Sequence, residues 1–239
     1  MKKPKFAGIE NMKKSITIQD TWAIWHPDDK QEQNIKTSDE KLKDWYGIDS
    51  PVWNELFNKT TKKPEIIFVG ENPSKNNKKI LKEDKLIIQC FHSNSSQDLL
   101  LKKILENGFF KGTYMTDAFD SAFENEGKKI KLKDIRRKYP ENWKNIYTEA
   151  KEKFLEKIKK GFGKRAIICM GEDAFNYVIK FIDGKDFKKD LIEPRIKHIQ
   201  CQNNGIMLNI YKIDHPSPLN AKNRFLLLTE LGVLEKILR

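Results

Sequence analysis

Ile66-Ile67-Phe68-Val69-Gly70 and Ala166-Ile167-Ile168-Cys169-Met170-Gly171 are two unbroken apolar runs, each closed by a glycine. Runs this short, rich in β-branched residues and without polar alternation, suit strands buried on both faces. Thr113-Tyr114-Met115-Thr116 and Met207-Leu208-Asn209-Ile210-Tyr211 read as two more strands. Helical patterns separate them. Leu100, Leu101, Ile104 and Leu105 form an apolar stripe between Gln97 and Asn107, with Ser95-Ser96 as a cap. Trp143, Ile146, Tyr147, Ala150, Phe154 and Ile158 recur at helical spacing between Glu141 and Lys160. Glu172 to Phe181 opens with two acids, which suit a helix N-terminus, and Asn220 to Leu238 is apolar enough to dock firmly. Strands alternating with helices predict an α/β fold: a three-layer α/β/α sandwich around a central, mostly parallel four-stranded sheet. In such sheets ligands bind at the carboxyl ends of the strands.

The chain has 239 residues, mean hydropathy −0.70, 38% apolar and 33% charged side chains. Fourteen Phe and five Trp still provide for a core, which argues against disorder throughout. No apolar run is long enough to span a bilayer, and Met-Lys-Lys-Pro-Lys at the start lacks the apolar stretch of a secretory signal. Three cysteines (Cys90, Cys169, Cys201) form no CxxC pair, so a disulfide framework is not expected and a reducing cytoplasm is. Residues 1–62 hold four of the Trp (Trp22, Trp25, Trp45, Trp53) and read as an N-terminal extension packed on a domain spanning 63–239. The net charge is +12, of which +11 falls after Gly70. Such an excess fits a polyanionic partner, and it equally fits a Lys-rich surface that only keeps the chain soluble.

Two strand ends carry unusual loops. Gly70-Glu71-Asn72-Pro73-Ser74 follows the first run, and His215-Pro216-Ser217-Pro218-Leu219-Asn220 follows the fourth. Taken singly, the first could be an ordinary strand-to-loop turn, and the second a rigid crossover with an incidental His. As a site, the first offers a glycine that admits a ligand close to the backbone, and two side chains able to orient water. The second holds a His in place between prolines. The stretch from Lys128 to Lys138, with Lys128, Lys129, Arg136 and Arg137, is either a nucleic-acid contact or a solvated loop. The four His have no ligand spacing with the Cys, so no metal is expected.

Together and in this order, the two loops resemble the signature loops of the uracil-DNA glycosylase superfamily. Thr113-Tyr114-Met115-Thr116-Asp117 and the stretch Ile167 to Ala174 resemble that family's other strand ends. The resemblance covers roughly residues 64–239 and implies a cofactor-free, monofunctional DNA glycosylase, with DNA as partner and a monomer as the expected state. It implies that Asn72 orients the attacking water, Glu71 acts as general base, and His215 donates to the base O2. Phe91 would stack on the base beside Gly70, and Leu219 would be the wedge entering the vacated stack. Ser74, Ser217 and Pro218 would meet phosphates. An iron–sulfur cluster would need four Cys, one more than the chain has.

One position departs from the pattern. Where many members carry Asn, Asp117 stands, and an ionised carboxylate presents acceptors only. Uracil in DNA is the first substrate expected, with Asp117 standing against it. The rival readings are a non-catalytic nucleic-acid-binding module on the same fold and an enzyme of small nucleosides.

Overall fold

The computed structural model describes residues 16–19, 21–23, 55, 58–71, 78–82, 85–89, 91, 96–106, 108–119, 132, 136–137, 140–182, 185–192, 195–203, 205–216 and 221–239. In chain order the strands are β1 (Ile16–Gln19), β2 (Thr21–Trp22), β3 (Lys63–Gly70), β4 (Lys78–Lys82), β5 (Lys85–Gln89), β6 (Thr113–Asp117), β7 (Ala166–Met170), β8 (Lys185–Leu191), β9 (Lys197–Asn203) and β10 (Ile206–Ile213). The helices are α1 (Ser96–Leu105), α2 (Pro140–Lys159), α3 (Glu172–Ile182) and α4 (Ala221–Leu238).

The main sheet runs β2-β6-β3-β7-β10-β9-β8. Its middle is the expected parallel quartet: β3 pairs with β6 and β7, and β7 pairs with β10, all parallel. The sheet is wider than the four strands expected. β9 joins β10 antiparallel, β8 joins β9, and the two-residue β2 caps the opposite edge antiparallel to β6. These additions lack a continuous apolar run: β9 reads Lys-His-Ile-Gln-Cys-Gln-Asn, and only Ile199 and Cys201 turn inward. A smaller sheet, β1-β5-β4, joins the segment 16–19 in parallel to the β4–β5 hairpin.

Helices cover both faces. On one, Phe154 and Ile158 of α2 and Phe175, Val178 and Phe181 of α3 pack against Ile67, Val69, Ile167 and Cys169. On the other, Leu101 and Leu105 of α1 and Leu227, Leu231 and Leu234 of α4 pack against Ile66, Phe68, Ile168 and Ile213. Even and odd residues of one strand thus serve opposite layers, as the period of two requires. The acids Glu172 and Asp173 open α3, complementing the partial positive charge of its N-terminus. At the other end of the molecule Arg165 donates to the Leu238 carbonyl, tying the last turn of α4 to the start of β7.

The chain leaves β3 for β6 on one side and returns to β7 on the other. The carboxyl ends of β3, β6 and β7 therefore surround a switch point, where open α/β sheets leave a crevice.

Phe181 is fully buried, and its ring meets those of Phe119, Tyr147 and Phe154 at 5.4, 5.2 and 5.9 Å. Phe181→Ala is expected to lower the unfolding free energy by about 3–5 kcal/mol in urea titrations, because the cavity it leaves is walled by rings that cannot collapse into it.

Candidate active site at the carboxyl edge of the sheet

Gly70 ends β3 and lies opposite Asp117, the last residue of β6. The carbonyl of Gly70 accepts from Ala118 N–H (2.9 Å) and that of Glu71 from Phe119 N–H (3.0 Å), so the two chains stay together just beyond the ladder. A Cβ built on Gly70 would lie 2.2 Å from Asp117 Oδ1 and 3.0 Å from Phe91 Cζ. No side chain fits there without displacing both. The glycine is thus what lets a carboxylate and an aromatic ring converge on one point of backbone. Asp117 is 4% exposed and Phe91 half-buried. Phe91 holds φ at +63°, a conformation that L side chains other than Asn and Asp seldom take.

Glu71, half-buried, stands next to this point. Tyr177, on the second turn of α3, faces the same region: burial pushes its phenol above the ordinary range, and the charges of Glu71 and Asp173 add to the shift while Arg136 opposes it. The Tyr177 ring is wedged against Phe119 at 4.6 Å, edge on. Sequence reasoning missed Tyr177, which reads as one more aromatic on an amphipathic helix.

His215 rises from the end of β10 and is exposed. It lies over Gly171, the residue that closes β7: a Cβ there would stand 3.4 Å from His215 Cβ and 3.6 Å from Cδ2. Gly171 adopts φ +96° and donates its N–H to the Ile213 carbonyl at 2.9 Å. The positive φ turns the chain from β7 straight into α3, so the helix start, His215 and the end of β3 share one rim.

Below His215 the strand end is gripped from three sides. Asp214 N–H donates to Glu230 Oε2 at 2.8 Å. The Asp214 carboxylate accepts from Arg195 Nη1 and Lys212 Nζ, both at 3.2 Å. Glu230 is 4% exposed on α4, and its Oε1 accepts no hydrogen bond from the described residues. The sequence does carry a signal for it. Glu230 falls on the stripe of Leu227, Leu231 and Leu234, where an acid breaks the apolar pattern. Beside this cluster both carboxylate oxygens of Glu172 accept from Lys197 at 2.8 Å, which holds that acid below its usual range.

Of the expected site residues, the structure brings Gly70, Glu71, Phe91 and Asp117 together, and sets His215 after β10, two strands from β3 and over Gly171 at the end of the intervening β7. Arg136 and Arg137 are exposed, with Arg136 near enough to Tyr177 to influence it. Asn72, Ser74, Lys128, Lys129, Ser217, Pro218 and Leu219 lie outside the described residues. Thr116, which faces away from Asp117, is buried and accepts from Lys157 Nζ of α2 at 2.8 Å.

A family model described as the Uracil DNA glycosylase superfamily matches residues 57–231. The chain belongs to the uracil DNA glycosylase superfamily. No curated protein matches it. The superfamily match takes in both loops, the parallel quartet and Glu230, and it begins after the strands β1 and β2. Membership supports a glycosylase-type function in general terms. Among the described residues no helix is long and apolar enough to cross a membrane.

Burial, reinforced by the Asp214 carboxylate, raises the Glu230 carboxyl above its ordinary range, although the Asp214 N–H, Lys212 and Arg195 pull it back. An acid with a raised folded value gives stability that is fully present below its unfolded pKa of about 4.3 and lost as pH rises through the folded value. Glu230→Gln cannot titrate. The stability of E230Q minus that of the native chain is therefore expected to grow between pH 4 and pH 8 in parallel urea titrations, and a flat difference would contradict this account.

Proposed function

We propose that this member of the superfamily is a monofunctional DNA glycosylase that hydrolyses the N-glycosidic bond of a damaged or deaminated base. The observation that carries the reading is the convergence of Asp117 and Phe91 on the backbone of Gly70, with Glu71 beside it and His215 two strands along, over the end of β7. A base rotated out of the duplex would stack on Phe91 and turn its polar edge to Asp117. As the bond from C1′ to the base nitrogen breaks, its electron pair passes to the base and positive charge builds on the sugar. His215 donates a hydrogen bond to the oxygen where the base gathers charge. Water oriented by Asn72 adds its oxygen to C1′ and gives its proton to Glu71. Ser74, Ser217, Pro218, Lys128, Lys129, Arg136 and Arg137 meet the DNA backbone, and Leu219 fills the gap in the stack. The enzyme works as a monomer, without cofactor or metal, in the reducing cytoplasm.

The test is incubation with single- and double-stranded oligonucleotides carrying uracil, hypoxanthine or a mismatch, followed by alkaline cleavage at abasic sites. His215→Ala and Asn72→Ala are each expected to lower the rate by about 100-fold or more, the scale of losing one preorganised donor, with unfolding midpoints unchanged. DNA binding that falls with salt but never yields cleavage would instead support a non-catalytic binding module.

Asp117 favours a second substrate reading. An ionised carboxylate repels the O4 of uracil, yet accepts from an exocyclic amino group at that place. Asp117→Asn restores an amide donor there, and is expected to shift the preference toward uracil by about tenfold or more, as one hydrogen bond made or lost allows. An unchanged substrate profile would remove Asp117 from base selection.

A further inference from the structure

His215 is exposed, and the backbone that carries it is held on both sides. On its C-terminal side Pro216 is buried. On its N-terminal side β10 ends at Ile213, whose pairing partner Met170 also ends β7, so the next N–H lies beyond the ladder. That N–H belongs to Asp214 and goes to Glu230 Oε2 at 2.8 Å. We propose that Glu230 is the positioning residue for His215, acting through the Asp214 backbone. The inference rests on the role given to His215 above.

The acid adds nothing to the core around it. A leucine at 230 would continue the stripe of Leu227, Leu231 and Leu234 and bury apolar surface, whereas a carboxyl there gives up its hydration. What Glu230 supplies is a single acceptor aimed at the Ile213–Asp214 peptide, one residue before the histidine. The Asp214 side chain, held by Arg195 and Lys212, fixes the same residue from the opposite direction. His215 thus hangs between a clamped residue and a buried proline, over a glycine whose missing Cβ leaves room for the ring. Among the described residues only Oε2 meets a hydrogen-bond donor, and an amide offers that oxygen equally well.

This geometry separates two variants of similar size. Glu230→Leu keeps the bulk and removes the acceptor; Glu230→Gln keeps the acceptor and removes the charge. On the substrate that the native enzyme cleaves best, E230L is expected to lower kcat by about 10- to 100-fold with KM within about threefold, the scale of a catalytic group misplaced by an ångström. E230Q is expected to stay within about threefold of native in both. A second readout needs no activity. In nitrogen-15 NMR of the full chain, the imidazole signals of His215 are expected to move in E230L and to stay in place in E230Q. Equal loss in both variants, or an E230L protein with native kcat and native His215 signals, would overturn the proposal. If even the native chain released no base from any oligonucleotide, the glycosylase reading would fall; the His215 signals would still show whether residue 230 sets that ring.

Discussion

β3 is hydrogen-bonded along both edges and covered on both faces, and that double enclosure fixes everything at the functional end. A strand so placed cannot slip by one residue, because Ile66 and Phe68 would trade layers with Ile67 and Val69 and both cores would lose their fit. Its terminus is therefore a fixed point. Gly70 stands at that point with Asp117 in register across from it, and only a residue without a side chain leaves room for the carboxylate and for Phe91. On the adjacent strand Gly171 has the corresponding role, where a positive φ and a missing Cβ admit both the turn into α3 and the ring of His215.

Two strands of the parallel quartet, β3 and β7, were legible in the sequence because burial on both faces writes itself as unbroken apolar runs; β6 and β10 were read from short apolar stretches alternating with helical patterns. All four helices were legible too, since each hides one stripe and shows the other. The edge strands were not. β8 and β9 carry Lys, Asp and Gln at most positions, for one face of a sheet edge meets solvent, and alternation over so few residues is weak. β2, two residues long, is held by the ladder of β6 and by Ala23, whose N–H donates to the Thr113 carbonyl at 2.8 Å. Such a contact is set by the partner strand and leaves no local pattern.

The candidate site was legible in part, for a related reason. Glycine and proline at strand ends mark where backbone geometry is special, and so Gly70, Glu71 and His215 stood out. Asp117 was visible as an acid directly after a strand. Tyr177 and Glu230 were not found, because their roles come from what faces them across layers: Glu71 and Asp173 for the phenol, the Asp214 peptide for the acid. Glu230 could have been found as a polar break in an apolar stripe, but its partner could not, since 16 residues and a loop separate the two.

The net charge of +12 and the character of the site carry opposite signs, and the opposition is coherent. Among the described residues near the rim, Lys197 is matched by Glu172, and Arg195 and Lys212 by Asp214. Exposed pairs of this kind add little stability, but they cancel the local field. Among the described residues the strand ends also carry three acids, Glu71, Asp117 and Asp173, with Arg136 near enough to Tyr177 to influence it. For the proposed reaction this order of charges is the useful one. Long-range attraction for a polyanion needs only the summed excess, whereas a sugar gaining positive charge at C1′ is stabilised by negative groups fixed close to it in a site sheltered from water. A uniformly basic cleft would hold DNA and oppose that step, whereas carboxylates at the ends of β3 and β6 favour it.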